Sequence, residues 1–169
     1  MANLILQNQA TLIAWADSGA DLAITLKGLA SGTGRQGAEK DFGVGAVATR
    51  YMWLAQVQFD SATAPVVGET IDIYLKTSPD GVNYDNDDGD GTDIAVSAED
   101  KLKNLWYLGS IIVDEAVVDV KMQASGGPIE IGAEKVAPVF WNASADNLDD
   151  DVSTTDLKFI LIPIPLEVQ

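Results

Sequence analysis

The dominant feature of this sequence is an alternation of apolar and polar residues with a period of two. In residues 51–59 every odd position is apolar, and the even positions become polar from Gln56 onward. The same period recurs in residues 70–76 and 118–122. Since this period places alternate side chains on opposite faces of an extended chain, each segment predicts a half-buried β-strand. No stretch keeps a helical period for several turns, which argues against a helical bundle.

Nine short strands are predicted, separated by turn sequences rich in Gly, Pro, Asp and Ser. They span residues 12–16, 22–27, 51–60, 70–76, 105–113, 118–122, 129–131, 136–142 and 157–168. Residues 78–81 (SPDG) and 125–128 (SGGP) are the clearest turns, because Pro presets φ and Gly tolerates positive φ. No linker divides the chain. The pattern predicts one all-β domain over residues 1–169, an antiparallel β-sandwich, jelly-roll-like, with long glycine-rich and acidic loops.

Composition narrows the class of function. The chain contains neither cysteine nor histidine, and its formal net charge is −16. Without histidine, acid–base catalysis would rest on carboxylates, Lys, Tyr or Ser, and the acids cluster in loops without an apolar pocket pattern. A sequence pI of about 4.1 disfavours binding to nucleic acid or anionic membranes. No apolar run is long enough to span a bilayer. A secretion signal has a basic residue before its apolar run, and none precedes the first apolar run here. We therefore expect a soluble protein made in a cytoplasm.

Charge is unevenly distributed along the chain. Residues 1–50 carry four acids and four bases, whereas residues 51–169 carry 22 acids and six bases. Because charge is costly to bury at a contact unless it is paired, a near-neutral segment suits docking and an acidic one suits exposure to solvent. We therefore expect residues 1–45 to include a flexible, near-neutral attachment segment.

Residues 28–45 contain six glycines and no hydrophobic period, which predicts a long mobile loop. The loop matches G-x-G-x-x-G, but no helix pattern follows it, so a dinucleotide site is disfavoured. The residues predicted to contact a partner are Gly32, Gly34, Arg35, Gln36 and Lys40. The two bases among them would pair with acids on that partner.

One segment resembles the opening of a calcium loop. Residues 86–91 read N-x-D-x-D-G, which would use Asn86, Asp88 and Asp90 as alternating oxygen ligands. The twelfth position is Ser97, where a bidentate Glu is usual. Two interpretations stay open, a solvated acidic loop and a loop that binds Ca²⁺ loosely. No other cofactor is expected.

Three further patterns concern the burial of side chains and the pairing of the last strand. The four tryptophans (Trp15, Trp53, Trp106 and Trp141) lie in apolar strand patterns, which favours core packing over an exposed sugar platform. The acidic run at 149–151 predicts a solvated loop. Pro163 and Pro165 remove N–H groups from one side of the last strand, which predicts a protected edge strand.

Several motifs together resemble the β-rich decoration, or cement, proteins of tailed-bacteriophage capsids. They are residues 26–36 (LKGLASGTGRQ), 71–75 (IDIYL), 78–81 (SPDG), 90–93 (DGTD), 108–111 (LGSI) and 162–165 (IPIP). The resemblance covers most of residues 25–169 in the order of its elements. It implies a β-sandwich or jelly roll without catalysis, present in many copies per virion. It further implies binding to the outer face of the major capsid protein and assembly as a homo-oligomer, often a trimer.

We therefore expect a non-enzymatic virion structural protein that is synthesised in the host cytoplasm and decorates the capsid surface. The alternative is a phage tail or receptor-binding sandwich, or a carbohydrate-binding module, for which an exposed tryptophan and sugar binding would be the signs. A carboxylate enzyme is third, and a buried acid pair with a raised pKa would indicate it.

Overall fold

The structure is a computed structural model that describes residues 11–44, 49–60, 62–85, 91–150 and 156–164. Within these ranges, eleven strands form two sheets. They are β1 (Ile13–Ala16), β2 (Leu22–Ala23), β3 (Gly34–Gln36), β4 (Lys40–Asp41), β5 (Thr49–Gln58), β6 (Thr70–Ser78), β7 (Ile94–Val96), β8 (Trp106–Ile112), β9 (Lys121–Ile131), β10 (Lys135–Asn142) and β11 (Lys158–Pro163). A 3-10 turn spans Glu99–Leu102. None of the helical structure in these ranges is long or apolar enough to cross a membrane.

The two sheets pack as a β-sandwich. The first sheet has the strand order β2-β1-β11-β5-β9, and the second has β7-β3-β10-β6-β8, with β4 also pairing with β10. The pairings are antiparallel except for β1 with β2, which is parallel. The predicted all-β sandwich is confirmed, whereas its jelly-roll connectivity stays a prediction. Strands β8 and β9 are edge strands of different sheets that lie against each other.

Alternating residues from both sheets meet in one hydrophobic core. Strand β6 contributes Ile71, Ile73 and Leu75, which are fully buried as the period of two predicts. Phe159 of β11 links the two sheets, since its ring centroid lies 6.2 Å from that of Phe140 in β10. A second apolar cluster packs around the 3-10 turn and the second sheet. It comprises Val96, Leu102, Leu105, Val139 and Trp141.

Residues 28–45 are not one mobile loop, as the sequence predicted. Strands β3 and β4 lie within this segment, and β3 pairs with β10 on one side and β7 on the other. A strand of three residues, one of them glycine, is too short to show a period of two. Its strand geometry comes from neighbours that lie far away in the sequence, which is why local pattern did not predict it.

Residues 125–128 do not form the predicted turn. Strand β9 runs continuously through them and includes the strand predicted at 129–131. Of the strand predicted at 118–122, only residues 121–122 belong to β9, because residues 118–119 form a turn before it. The pairing of β9 with β5 shifts register between Tyr51 and Trp53. A β-bulge produces a register shift of this kind. The shift lets the strand accommodate a Gly-Gly-Pro sequence that would otherwise favour a turn.

The sequence predicted that the last strand is an edge strand, and this prediction is wrong. Strand β11 is an inner strand, because it lies between β1 and β5. The N–H of Ile164 donates to the carbonyl of Arg50 at 2.8 Å, so the N–H groups of even-numbered residues point toward β5. The nitrogen of Pro163 therefore faces the side of β1, whose pairing with β11 has already ended at Leu161. The proline costs no ladder hydrogen bond there. Pro165 lies outside the described residues.

Candidate binding surfaces

Two of the predicted partner contacts are buried. A Cβ atom added to Gly34 would lie 2.8 Å from the indole of Trp141 and 2.9 Å from the carbonyl oxygen of Phe140. Gln36 is fully buried, and its Oε1 accepts a hydrogen bond from Lys76 Nζ at 3.0 Å. The prediction that Gly34 and Gln36 contact a partner is therefore wrong, because both lie inside the second sheet.

Arg35 is paired within the chain. Its Nε donates to Asp93 Oδ1 at 2.5 Å, and its second guanidinium nitrogen donates to the Asp93 carbonyl at 3.1 Å. Burial alone would raise the pKa of Asp93, but hydrogen bonds from Arg35 and Thr25 outweigh it and lower that pKa. The guanidinium group of Arg35 thus links β3 to Asp93, the residue immediately before β7.

Gly32 and Lys40 lie at opposite ends of β10. The N–H of Gly32 donates to the carbonyl of Asn142, where β10 ends, whereas Lys40 pairs with Val136 near its start. The structure therefore does not bring the predicted contacts together in one surface. A partner contact at Gly32 or Lys40 stays a prediction.

The expected attachment segment is part of the sandwich. Strands β1 to β4 lie in both sheets, and Trp15, Ile24 and Leu26 are fully buried. Residues 13–41 are thus not a flexible segment, while residues 1–10 lie outside the described residues. The near-neutral N-terminal part of the sequence and the acidic remainder therefore share the same two sheets and do not form two separate regions.

The proposed calcium ligands Asn86, Asp88 and Asp90 lie outside the described residues, so the calcium interpretation stays a prediction. Within the described ranges, no group of three or more acidic side chains is placed to hold a metal ion. Asp149, predicted to be solvated, is 3% exposed and accepts a hydrogen bond from Gln58 Nε2 at 3.0 Å. The solvated-loop interpretation is wrong for that residue.

Acidic residues concentrate at both ends of the sandwich. The described parts of four connections meet at one end, through hydrogen bonds such as Gly28 N–H to the Asp149 carbonyl and Gly68 N–H to the Val113 carbonyl. These parts are residues 17–33, 59–60, 62–69, 113–120, 143–150 and 156–157, and they carry eleven acids and one base. Residues 79–85, 91–93 and 132–134, at the opposite end, carry four acids and no base.

One side of the sandwich differs from both ends. Residues 104–113, which include β8, and residues 122–129, which form most of β9, contain no Asp, Glu, Lys or Arg. We call these two segments together the uncharged flank. It is formed by the edge strands of the two sheets, within the part of the sequence that carries the net negative charge.

A groove of about 470 Å³ opens in the uncharged flank between β8 and β9. It is lined by residues 106–110, residues 124–129 and Trp53. A Cβ atom at Gly109 would lie 3.2 Å from the Trp53 ring, and one at Gly126 would lie 2.9 Å from Trp53 Nε1. The two glycines therefore leave space for the indole of Trp53 at the floor of the groove.

Trp106 lines this groove and is 42% exposed. Core packing is confirmed for Trp15, Trp53 and Trp141, but it is wrong for Trp106. The reason is the position of β8: it pairs with β6 on one side and ends the sheet on the other. An apolar strand pattern does not reveal whether the strand has one neighbour or two.

A hydrogen-bond chain orders the aromatic wall beside Trp106. The hydroxyl of Ser110 donates to Asp72 Oδ1 at 2.5 Å, so the hydroxyl of Tyr107 donates in turn to Ser110 Oγ at 2.6 Å. The ring of Tyr74 lies 5.3 Å from that of Tyr107, and burial and the Asp72 charge raise the pKa of Tyr74. The phenol of Tyr74 therefore stays neutral at physiological pH, and these contacts hold both rings in place before any ligand arrives.

A second apolar surface lies near the far end of β8. Val66, Val67 and Ile112 are each between 55% and 61% exposed. Their segments are joined by the Gly68 N–H to the Val113 carbonyl, at 2.9 Å. We call these three residues the aliphatic patch. The neighbouring connections carry the acids Asp60, Glu69, Asp114 and Glu115.

The comparison with known proteins leaves these surfaces to be interpreted from their own chemistry. No protein-family model, curated protein or solved structure matches the chain. Sequence reasoning missed both the groove and the aliphatic patch. A signal for the groove was present, since residues 104–113 are a run of ten uncharged residues in a chain that is 21% charged.

Proposed function

We propose that this chain is a non-enzymatic structural protein of a bacteriophage virion, which binds the outer face of the major capsid protein and stabilises the shell. The order of motifs that resembles decoration proteins supports this role, as does the β-sandwich fold. The observation that carries the proposal is the aliphatic patch, an exposed apolar surface next to acidic connections. Exposed apolar surface with a polar rim is typical of sites where proteins bind one another.

The chemistry of the patch describes the surface that it fits. Burying a fully exposed aliphatic side chain contributes about 1.5–3 kcal/mol to the free energy of association. These three side chains are 55–61% exposed, so each would contribute somewhat more than half of that amount. The surrounding acids favour a partner whose own apolar site is flanked by Lys or Arg. The same acids disfavour association with other acidic bodies, including further copies of this chain through the same surface.

Binding of this kind stabilises a shell by mass action. A protein that binds the assembled shell more tightly than its free subunits shifts the equilibrium toward assembly. The acidic connections at the opposite end of the sandwich would then face away from the shell. Self-association into a homo-oligomer remains a separate prediction of the resemblance.

Particle binding tests the proposal. Purified particles of the phage that encodes this chain, prepared without it, are mixed with the wild-type chain and pelleted by centrifugation. We expect saturable pelleting of the wild type, and at least a tenfold weaker interaction for Val67→Asp and Ile112→Asp. Decorated particles should also withstand higher temperatures before they release their DNA.

Val82→Asp is the matched control, because Val82 is another exposed valine that lies outside the patch. Its pelleting should equal that of the wild type. The proposal fails if the wild-type chain stays in the supernatant, or if both patch variants pellet as the wild type does. Deletion of residues 1–45 would be a poorer test, since it removes Trp15 and Leu26 from the core.

A further inference from the structure

We propose that the groove between β8 and β9 is a binding site for a neutral saccharide. This inference goes beyond the structural role proposed above and does not depend on it, because the groove and the aliphatic patch are different surfaces. It rests on the charge, the aromatic lining and an unpaired donor of the groove, each of which constrains the ligand.

Charge excludes most other classes of ligand. None of the residues that line the groove carries a charged side chain, while the chain as a whole has a net charge of −16. An anionic ligand would be repelled by the acidic ends, and a cationic one would find no counter-charge in the lining. The neighbouring carboxylate of Asp72 already accepts the hydroxyl of Ser110. The groove therefore suits an uncharged ligand.

One aromatic side chain supplies the contact surface. Trp106 lines the groove at the start of β8 and is 42% exposed, whereas Tyr107, the next residue, points to the opposite face of the sheet and packs on Tyr74. The C–H groups on one face of a pyranose ring pack well against the flat face of an aromatic ring, and Trp and Tyr combine such a face with a polar edge.

The floor of the groove offers a hydrogen-bond donor. Trp53 is only 4% exposed, and its indole N–H makes no hydrogen bond with any described residue. This nitrogen is not among the buried described atoms that lack a partner, so an unbonded indole N–H here is open to water or to a ligand in the groove. Its Nε1 lies beside Gly126, where the missing side chain leaves access from the groove. A sugar hydroxyl oxygen placed there would accept this hydrogen bond.

Size and backbone chemistry agree with this assignment. The volume of about 470 Å³ falls within the range of about 300–1,000 Å³ that is common for small-molecule sites. The hydroxyls of Ser110 and Ser125 add polar groups to the lining. An added peptide strand is a poorer occupant, because Pro128 lacks the N–H that a continuous ladder on β9 would need.

Calorimetric titration of the full chain tests the site. The neutral probes are hexasaccharides of glucose (α- and β-linked), xylose, mannose and N-acetylglucosamine, and the charged control is hexagalacturonate. We expect at least one neutral hexasaccharide to bind with a dissociation constant of about 1 mM or tighter, the weak end of the usual range of affinities. Hexagalacturonate should not bind.

Two variants connect binding to the groove. Trp106→Ala should weaken the affinity about tenfold or more, through loss of the stacking surface. Gly126→Ala should weaken it as well, because the added Cβ would lie 2.9 Å from Trp53 Nε1 and displace the indole or block its N–H. Val117→Ala is the control, since Val117 is an exposed apolar residue outside both the groove lining and the aliphatic patch. It should bind as the wild type does.

Three results would overturn the inference. The first is the absence of binding by every neutral hexasaccharide at about 10 mM, where even weak sites are occupied. The second is equal binding by the wild type and Trp106→Ala, when circular dichroism shows that both are folded. The third is a Trp106→Asp variant that converts an oligomer into monomers in sedimentation equilibrium, which would show that a second copy covers the groove.

Discussion

Strands β3 and β8 lie in the same sheet, and the sequence predicted the wrong degree of burial for both. It predicted β3 as exposed and β8 as buried. Residues 34–36 have the composition of an exposed loop, yet Gly34 and Gln36 are buried between β7 and β10. Residues 106–112 have the apolar pattern of a core strand, yet Trp106 and Tyr107 are exposed. Burial in this molecule therefore follows the number of neighbouring strands more closely than it follows the hydrophobicity of the residues.

The contrast between two tryptophans gives the largest expected effect. Trp141 is buried and packs over Gly34, so Trp141→Ala should lower the free energy of unfolding by about 4 kcal/mol. Trp106→Ala, at the sheet edge, should lower it by less than about 1 kcal/mol. Urea unfolding followed by circular dichroism measures both. Equal losses for the two variants would remove the distinction between β3 and β8.

A side chain at position 34 tests how tightly β3 is packed. Gly34→Val should destabilise the chain by about 3 kcal/mol, because its Cβ would meet Trp141 and the backbone of β10 at under 3 Å. Ala95→Val is the control, since Ala95 pairs with Arg35 in the adjacent strand but is exposed. It should change stability by less than about 0.5 kcal/mol. A stable Gly34→Val would mean that residues 34–36 do form a loop.

The hydrogen bond between Gln36 and Lys76 tests the polar interior of the second sheet. Gln36→Leu removes one acceptor of the buried Lys76 ammonium group and should cost about 2 kcal/mol, within the usual range for a hydrogen bond to a charged group. Gln123→Leu, at an exposed position of β9, makes the same chemical change without loss of a buried partner. Its midpoint in urea should stay near that of the wild type, and a matching shift in both variants would contradict the assigned burial of Gln36.

The smallest effect concerns the turn at 78–81, which lies outside both strands. Asp80 accepts hydrogen bonds from Asn83 N–H at 2.7 Å, Asn83 Nδ2 at 2.6 Å and Val82 N–H at 3.0 Å. The two bonds from Asn83 contribute most to lowering the pKa of Asp80 from 3.8 to about 2. Since the folded-state pKa is lowered, the stabilisation is complete above about pH 4 and is lost as the pH falls toward 2.

Asp80→Ala should therefore be slightly less stable than the wild type at pH 7, and the difference should shrink between pH 4 and pH 2. Thermal unfolding at a series of pH values measures it. A difference that stays constant over this range would show that the carboxylate does not hold the turn. The matched change at an exposed acid outside the turn, Asp114→Ala, tests whether general charge repulsion produces the same profile.

Local sequence predicted those parts of the fold that depend on local pattern. The period of two located β5 and β6, the apolar run at 136–142 located β10, and the SPDG turn lies where its composition placed it, with Gly81 at φ +72°. The failures share one cause. β3, the inner position of β11 and the continuity of β9 depend on which strands pair across long distances in sequence, and alternation within one strand contains no information about its neighbours.

The candidate surfaces show the same limit. The sequence analysis predicted a near-neutral attachment segment within residues 1–45, because charge was summed along the chain. In space the uncharged flank is built from two later segments that the two sheets bring together at their edges. The aliphatic patch likewise joins residues from the β5–β6 connection and from β8, more than 40 positions apart.

Thiol accessibility on the virion tests the central claim most directly. Because the chain has no native cysteine, only the introduced thiol of each variant can be labelled in this protein. Val67→Cys reports on the aliphatic patch, and Trp106→Cys reports on the groove. The rate of maleimide labelling is compared for each variant, free and bound to phage particles. We predict that particle binding protects Cys at position 67 at least tenfold and leaves position 106 reactive. Full reactivity of position 67 on the particle would contradict the proposed attachment of this protein to the shell.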